Sequence, residues 1–139
     1  MKNNNPVLLI EDDLIDVMIT QRAFRENNIT NKIITFENGE DALVYLLKEE
    51  EKPCVILLDL NTPKMNGKEF LEIAKSNEQL KMIPVVVLTT SQNEHDIYDC
   101  YKLGVAGYLV KPLDYQEFVN YIHVFKQYWN LCEVPVMAK

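Results

Sequence analysis

Acidic side chains directly follow two of the most apolar stretches in the chain. The run at residues 7–10 is followed by Glu11 and Asp12, and the run at residues 55–58 is followed by Asp59. Uninterrupted apolar runs are typical of strands buried on both faces, whereas half-exposed strands alternate apolar with polar residues. A charge at the end of a buried strand costs free energy unless another group pairs with it. The fold must therefore bring partners to these carboxylates.

Two further apolar runs supply groups of complementary chemistry. Residues 85–88 are followed by the hydroxyl of Thr89, and residues 107–110 by the ammonium of Lys111. In an open parallel sheet, the ligand site lies beyond the carboxyl ends of the strands. We therefore expect the carboxylates, the hydroxyl and the ammonium to converge on one shallow acidic pocket.

The expected pocket has the chemistry of a magnesium site. Carboxylates held close together repel one another, so either a pKa rises or a cation binds. Magnesium suits a site with few protein ligands, because it keeps several waters and accepts phosphoryl oxygens. We expect Asp12 and Asp59 to bind Mg²⁺ directly, Glu11 to bind it through water, and a backbone carbonyl near Asn61 to complete the set.

Asp59 is the best candidate for a nucleophile in this pocket. A carboxylate can attack a phosphoryl donor, provided that the charge on the transferring group is neutralised. Mg²⁺, Lys111 and the Thr89 hydroxyl are three such stabilisers. Asp12 and Glu11 are occupied in holding the metal, which leaves Asp59 free to react.

Strands and helices alternate along the whole chain. The predicted strands are 7–10, 33–36, 55–58, 85–88 and 107–110, and all five are expected to be buried. The segments between and after them have helical composition: 14–27, 40–50, 68–76, 94–103 and about 114–131, the last beginning with a capping-box pattern at Asp114 and Glu117. This alternation predicts an α/β fold with a parallel sheet and right-handed crossovers. We expect a single domain over residues 1–139, with its core at about 7–131 and a short tail at 132–139.

Composition excludes several classes of function. The formal net charge of −7 disfavours binding to nucleic acid or to an anionic membrane surface. Three widely spaced cysteines without a CxxC pair indicate neither a disulfide framework nor a zinc site. No apolar stretch has the length of a membrane span or the pattern of a signal peptide. We therefore expect a cytoplasmic protein.

Four motifs carry a family resemblance: LLIEDD, LLDLNTPKMNG, VVVLTTS and GYLVKP, in this order. Together they resemble the receiver domain of two-component response regulators, across residues 7–131. The resemblance implies a flavodoxin-like (βα)5 doubly wound sandwich with strand order 2-1-3-4-5. It also implies a regulator in a phosphorelay rather than a conventional enzyme.

The resemblance further assigns roles to individual residues. Asp59 accepts a phosphoryl group from a sensor histidine kinase, and Glu11 stands where many receivers have Asp. The remaining roles are an acidic metal pair (Glu11, Asp12), a switch hydroxyl (Thr89), a switch aromatic (Tyr108), a Lys-Pro pair joined by a cis peptide (Lys111, Pro112) and two residues that tune the phosphoryl lifetime (Asn61, Ser91). Phosphorylation is expected to draw in the Thr89 hydroxyl, let Tyr108 turn inward and reshape the face formed by the fourth helix, the fifth strand and the fifth helix. That face would then act on an output partner that the sequence does not identify.

Two features point to partners. The motif LDLNTPKMNG, together with LTTS and with QYWNL in the last helix, is similar to that of stand-alone receivers associated with phytochrome-type and hybrid kinases. In the last helix, one apolar stripe (Phe118, Ile122, Phe125, Trp129) would cover the sheet, and a second stripe would leave an aromatic surface exposed. The second stripe, Tyr121, Val124, Tyr128 and Leu131, which Cys132 continues, indicates a homodimer interface unless the tail at 133–139 covers it.

Two other functions compete with a phosphorelay. DLNTP superficially resembles the start of the haloacid-dehalogenase phosphatase motif, but that motif needs a second Asp where this chain has Asn61. A receiver-like adaptor that is never phosphorylated is the other alternative, and the presence of every required chemical group argues against it.

Overall fold

Five short strands and five helices alternate strictly in a computed structural model that describes residues 3–135. The strands are β1 (Val7–Ile10), β2 (Ile33–Phe36), β3 (Val55–Leu58), β4 (Val85–Thr89) and β5 (Gly107–Val110). The helices are α1 (Leu14–Glu26), α2 (Gly39–Lys48), α3 (Gly67–Ser76), α4 (Glu94–Lys102) and α5 (Tyr115–Leu131). All ten predicted elements are present, with ends that differ by at most two residues from the predicted ones.

All strands pair in parallel in the order β2-β1-β3-β4-β5. The flavodoxin-like doubly wound fold expected from the family resemblance is therefore confirmed. Ile10 at the end of β1 is in register with Phe36 of β2 and Leu58 of β3. Because these strands end level with one another, the residues that follow them emerge at one edge of the sheet.

The core lies on both faces of the sheet. Helices α1 and α5 pack on one face through residues such as Phe24 and Ile122, while α2, α3 and α4 pack on the other through residues such as Phe70. Strands β1, β3 and β4 are fully buried. The expectation that all five strands are buried is wrong for β2 and β5, because each forms a sheet edge and leaves its residues partly exposed.

Side-chain caps define where the helices begin. Asp13, Asn38, Asn66, Asn93 and Asp114 each accept hydrogen bonds from backbone amides of the first turn. At Asp114 the structure has one half of the predicted capping box, the bond from the Glu117 amide. The reciprocal box occurs at the start of α3, where Asn66 and Glu69 exchange side-chain-to-backbone bonds. Two of these caps, Asp13 and Asn66, anchor the loops that carry the acidic residues.

Helix α5 has the two stripes expected from its sequence. Its first stripe is buried against the sheet, and its second stripe, Tyr121, Val124, Tyr128 and Leu131, is exposed. The described part of the tail does not cover the second stripe. Instead, Val134 and Pro135 line a groove beside Cys54 and Pro84, at the amino ends of β3 and β4. Residues 136–139, the rest of the proposed cover, lie outside the described residues.

Within residues 3–135, none of the helices combines the length and the apolar character that crossing a bilayer requires.

Candidate functional site

The acidic residues are fixed by hydrogen bonds that continue the strand pairing beyond the strands themselves. The amide of Glu11 donates to Phe36 O at 2.9 Å, and the amide of Asp59 donates to Ile10 O at 3.0 Å. In the same way, the amide of Lys111 donates to Thr89 O at 2.7 Å. The backbone of each residue is therefore held by the adjacent strand, which leaves only the side chain free to adjust.

Three carboxylates meet at this edge of the sheet. One oxygen each from Glu11, Asp12 and Asp59 lies within 4.8 Å of the others. Glu11 and Asp59 are only 4% and 9% exposed, whereas Asp12 faces solvent. The arrangement is a half-open acidic pocket, with two carboxylates held by the fold and a third at its mouth.

The loop from β3 to α3 is held close to the pocket by Gly67. The Gly67 amide donates to Leu60 O at 2.9 Å. A Cβ added at Gly67 would lie 2.7 Å from Leu60 Cα and 2.9 Å from the backbone oxygen of Asp59. Only glycine allows this close approach without moving the backbone beside Asp59. Asn61 lies in this loop and is exposed to solvent.

Lys111 binds one of the three clustered carboxylates. Its Nζ donates to Glu11 Oε1 and, at 3.1 Å, to Asp16 Oδ2 on the first turn of α1. The predicted cis bond between Lys111 and Pro112 is wrong, because residues 3–135 contain no cis peptide bond. The trans isomer is the intrinsically favoured form before proline, and the lysine side chain is long enough to enter the pocket from it.

Burial and neighbouring charges raise the pKa of both Glu11 and Lys111. Burial raises the pKa of Glu11 to about 7, and the charge of Asp59 adds to the rise, although the hydrogen bond and the charge of Lys111 oppose it. Burial alone would lower the pKa of Lys111, but the hydrogen bond and charge of Glu11, together with Asp59 and Asp16, raise it above its ordinary value. Lys111 therefore stays charged, and Glu11 keeps its proton to a higher pH than an ordinary carboxyl group does.

The donor set fits a hard divalent cation. Carboxylate oxygens are the preferred ligands of Mg²⁺ and Mn²⁺, and the exposed position of Asp12 leaves room for water and for a substrate oxygen. The mutual repulsion of the three carboxylates supplies a reason for a cation to bind. Glu11, Asp12 and Asp59 are accordingly the residues of the described chain that would hold one.

The residues expected to act as a switch lie together at the ends of β4 and β5. Thr89 is fully buried, and its hydroxyl oxygen accepts from the Ser91 amide at 3.4 Å. The Tyr108 hydroxyl donates to Ser91 O at 3.0 Å, and the ring packs against the core on the α2–α4 face. The Ser91 hydroxyl is itself bonded to Asp96 Oδ2 at 2.6 Å. The half-buried Tyr108 ring thus packs toward the core and is tied to the loop after β4.

Sequence reasoning missed two groups of charged residues around the pocket. Asp16, which binds Lys111, lies one turn after the acidic strand end, and this position in the first turn of α1 was the available signal. Lys68 binds Asp96 and Asp99 across the gap between α3 and α4. Nothing in the spacing of these three residues indicates the contact, because it depends on how the two helices pack.

Comparisons with known proteins agree with the architecture. The family model of the response regulator receiver domain matches residues 7–123, and the chain belongs to this family. The response regulator Rcp1 of Synechocystis is 37% identical over 128 residues, which cover 88% of this chain and 87% of Rcp1. The protein named "Probable methanogenesis regulatory protein FilR2" of Methanothrix harundinacea is 39% identical over 127 residues, which cover 88% of this chain and 82% of that protein.

Solved structures resemble the chain over nearly its full length. The phosphorylated cyanobacterial phytochrome response regulator RcpA is 34% identical, with a TM-score of 0.89, over 96% of this chain and 100% of that one. The Mn²⁺-bound form of Rcp1 is 34% identical, with a TM-score of 0.86, over 95% and 99% of the two chains. The former structure carries phosphorylation and the latter a divalent cation, according to their descriptions.

The neighbouring residues Asp12 and Asp13 provide a matched test of the cation site. Both substitutions Asp12→Asn and Asp13→Asn remove one negative charge, but only Asp12 belongs to the carboxylate cluster. Asn is as good a helix cap as Asp, so Asp13→Asn keeps the start of α1. We expect Mn²⁺ affinity, measured by electron paramagnetic resonance, to fall about tenfold or more in Asp12→Asn and little in Asp13→Asn. Equal losses in both variants would indicate a general charge effect in place of a site.

Proposed function

We propose that this receiver is a phosphorelay response regulator that accepts a phosphoryl group on Asp59 with the help of Mg²⁺. The observation that carries the proposal is the meeting of Glu11, Asp12 and Asp59 within 4.8 Å, beside the half-buried ammonium of Lys111. Membership of the receiver family and the likeness to a phosphorylated and to a metal-bound regulator support it. The chain thereby acts as a signalling protein that catalyses a step on itself.

The expected donor is a phosphohistidine of a sensor kinase. A carboxylate oxygen of Asp59 forms the new P–O bond while the P–N bond breaks, and the imidazole nitrogen takes the electron pair. Bound Mg²⁺ would neutralise negative charge on the phosphoryl oxygens. Lys111 holds a permanent positive charge at the same edge, and the bond from the Asp59 amide to Ile10 O fixes the backbone of the nucleophile. Asp12 is exposed to solvent, so water can reach the pocket from its side, and Asn61 and Ser91 are proposed to tune hydrolysis.

The proposed signal is a change in the face formed by α4, β5 and α5. Thr89 ends the strand next to Asp59's strand, so its hydroxyl can follow a phosphoryl oxygen, and Tyr108 is linked to the same loop through Ser91. A local change in charge would therefore bias two arrangements of these elements. The output partner would recognise the resulting surface.

Intact mass after incubation with acetyl phosphate tests the chemistry. We expect wild type to gain the mass of one phosphoryl group only when Mg²⁺ is present, because the charge on the transferring group must be neutralised. Asp59→Asn should gain nothing, whereas the charge-matched control Asp13→Asn should behave like wild type. Modification that persists in Asp59→Asn or without Mg²⁺ would contradict the assignment. If folded wild type gains no mass, a purified histidine kinase should be tried as donor, and failure with both would favour an adaptor role.

A phytochrome-type kinase is the proposed partner class. The support is the similarity to RcpA, which is described as a phytochrome response regulator, together with the resemblance of the sequence to receivers of such kinases. Transfer from a purified kinase of this class should be faster than transfer from an unrelated histidine kinase. Equal rates would remove this part of the proposal.

We also propose that a second copy of this chain binds the exposed stripe of α5. Val124, Tyr128 and neighbouring side chains border an open apolar groove of about 460 Å³ between α5 and the edge strand β5. Exposed apolar surfaces of this kind mark interaction sites, and symmetric dimers are the commonest assemblies. The unpaired edge of β5 and the aromatic stripe form one continuous surface for a self-complementary contact.

Two identical substitutions on different helices test the dimer. Val124 is 61% exposed on α5, and Val44 is 50% exposed on α2 in the other helical layer. In sedimentation velocity, wild type should associate as its concentration rises. Val124→Glu should remain monomeric, because a charge would be buried in the interface, whereas Val44→Glu should still associate. A monomeric wild type at all concentrations, with and without beryllofluoride, would refute the proposal.

A further inference from the structure

A second charged cluster lies outside the acidic pocket and joins the two helices that follow the reactive strands. Lys68 Nζ on the first turn of α3 lies 2.6 Å from Asp96 Oδ1 and 3.0 Å from Asp99 Oδ2 on α4. The chain reaches α3 from Asp59 and reaches α4 from Thr89. The cluster therefore links the helices that follow the two loops bordering the pocket.

Ser91 connects this cluster to the switch residues. Its hydroxyl donates to Asp96 Oδ2 at 2.6 Å, its carbonyl accepts from the Tyr108 hydroxyl at 3.0 Å, and its amide donates to Thr89 Oγ1 at 3.4 Å. The hydroxyl, the carbonyl and the amide of Ser91 are thus each held by a hydrogen bond. Because the Asp96 bond is short and charge-assisted, it is the strongest of the three restraints on Ser91.

The charges needed for this contact persist through the neutral pH range. The hydrogen bonds from Lys68 and Ser91 lower the pKa of Asp96, and the bonds to Asp96 and Asp99 raise the pKa of Lys68. Both partners are about one-third exposed, so water screens part of their attraction. The ion pair therefore contributes little to the free energy of unfolding. Its main effect is on the position of Ser91.

We propose that Lys68 and Asp96 are positioning residues that hold the Ser91 carbonyl where the Tyr108 hydroxyl meets it, and so favour the inward, signalling position of Tyr108. The connection to signalling rests on the function proposed above. If the inward position accompanies the phosphoryl group, whatever stabilises it also strengthens binding at Asp59. Loss of the Lys68–Asp96 restraint then lowers the population with Tyr108 inward, and the affinity for a phosphoryl group at Asp59 falls in proportion.

Two aspartates on one helix provide a matched pair for the test. Asp96 and Asp99 both bind Lys68, but the bond from Ser91 goes to Asp96. The variants are Asp96→Ala, Asp99→Ala and Ser91→Ala. Ser91→Ala removes the same Ser91–Asp96 bond from the other partner, because it deletes the hydroxyl and keeps the carbonyl. The first readout is the fluorine resonance of Tyr108 in protein labelled with 3-fluorotyrosine, assigned with Tyr108→Phe, without any phosphoryl mimic. The second is the affinity for beryllofluoride with Mg²⁺.

We expect the Tyr108 resonance to move toward that of a solvent-exposed ring in Asp96→Ala and Ser91→Ala, and to stay in place in Asp99→Ala. The first two variants should also bind beryllofluoride about three- to tenfold more weakly. An unchanged Tyr108 resonance in folded Asp96→Ala would overturn the proposal. A moved resonance with unchanged beryllofluoride affinity would overturn its link to signalling. If wild type itself fails to bind beryllofluoride, the proposed function fails, and the resonance alone decides the positioning role.

Discussion

Repulsion among like charges at the end of a buried sheet is the constraint on which this structure depends. The two strands that precede these carboxylates are apolar and fully buried in the core. They bring Glu11, Asp12 and Asp59 within 4.8 Å of one another. The free energy gained by burying β1 and β3 holds the carboxylates together against that repulsion. The folded protein therefore carries an unfavourable repulsion energy among these carboxylates, which a bound cation or a bound proton can reduce. Burial, with a smaller contribution from the charge of Asp59, raises the pKa of Glu11, so a negative charge at this position is costly.

The residues around the three carboxylates balance their charge and hold the neighbouring loops. Lys111 partly offsets the negative charge through its bond to Glu11, and Asp16 on α1 binds the same ammonium. Gly67 lets the loop after Asp59 lie close against the backbone of Asp59. Lys68 and Asp96 extend this order to the far side of the pocket, where Thr89, Ser91 and Tyr108 meet. Under the proposed function, a change in charge at Asp59 would reach the surface made by α4 and β5 through these residues.

The parts that the sequence predicts are those governed by simple rules. Apolar runs locate the strands, and the rule for parallel sheets brings Asp12, Asp59 and Lys111 to one edge. Contacts that depend on the packing of helices are not predicted: Lys68 and Asp96 are 28 residues apart, and only the mutual orientation of α3 and α4 makes them neighbours. The bond before Pro112 was wrongly predicted, because it came from family resemblance and not from any feature of the local chain. The partial exposure of β2 and β5 was missed because apolar runs do not distinguish edge strands from central ones.

The most direct test of this electrostatic account is the free energy of unfolding of wild type and Asp59→Asn, measured by urea denaturation with chelator and with Mg²⁺. In chelator, removal of one of the three clustered charges should make Asp59→Asn more stable than wild type by about 1–3 kcal/mol. Mg²⁺ should then stabilise wild type more than the variant, because a ligand that binds only the folded state adds to its stability. An Asp59→Asn protein that is no more stable than wild type in chelator, together with a wild type insensitive to Mg²⁺, would contradict the account.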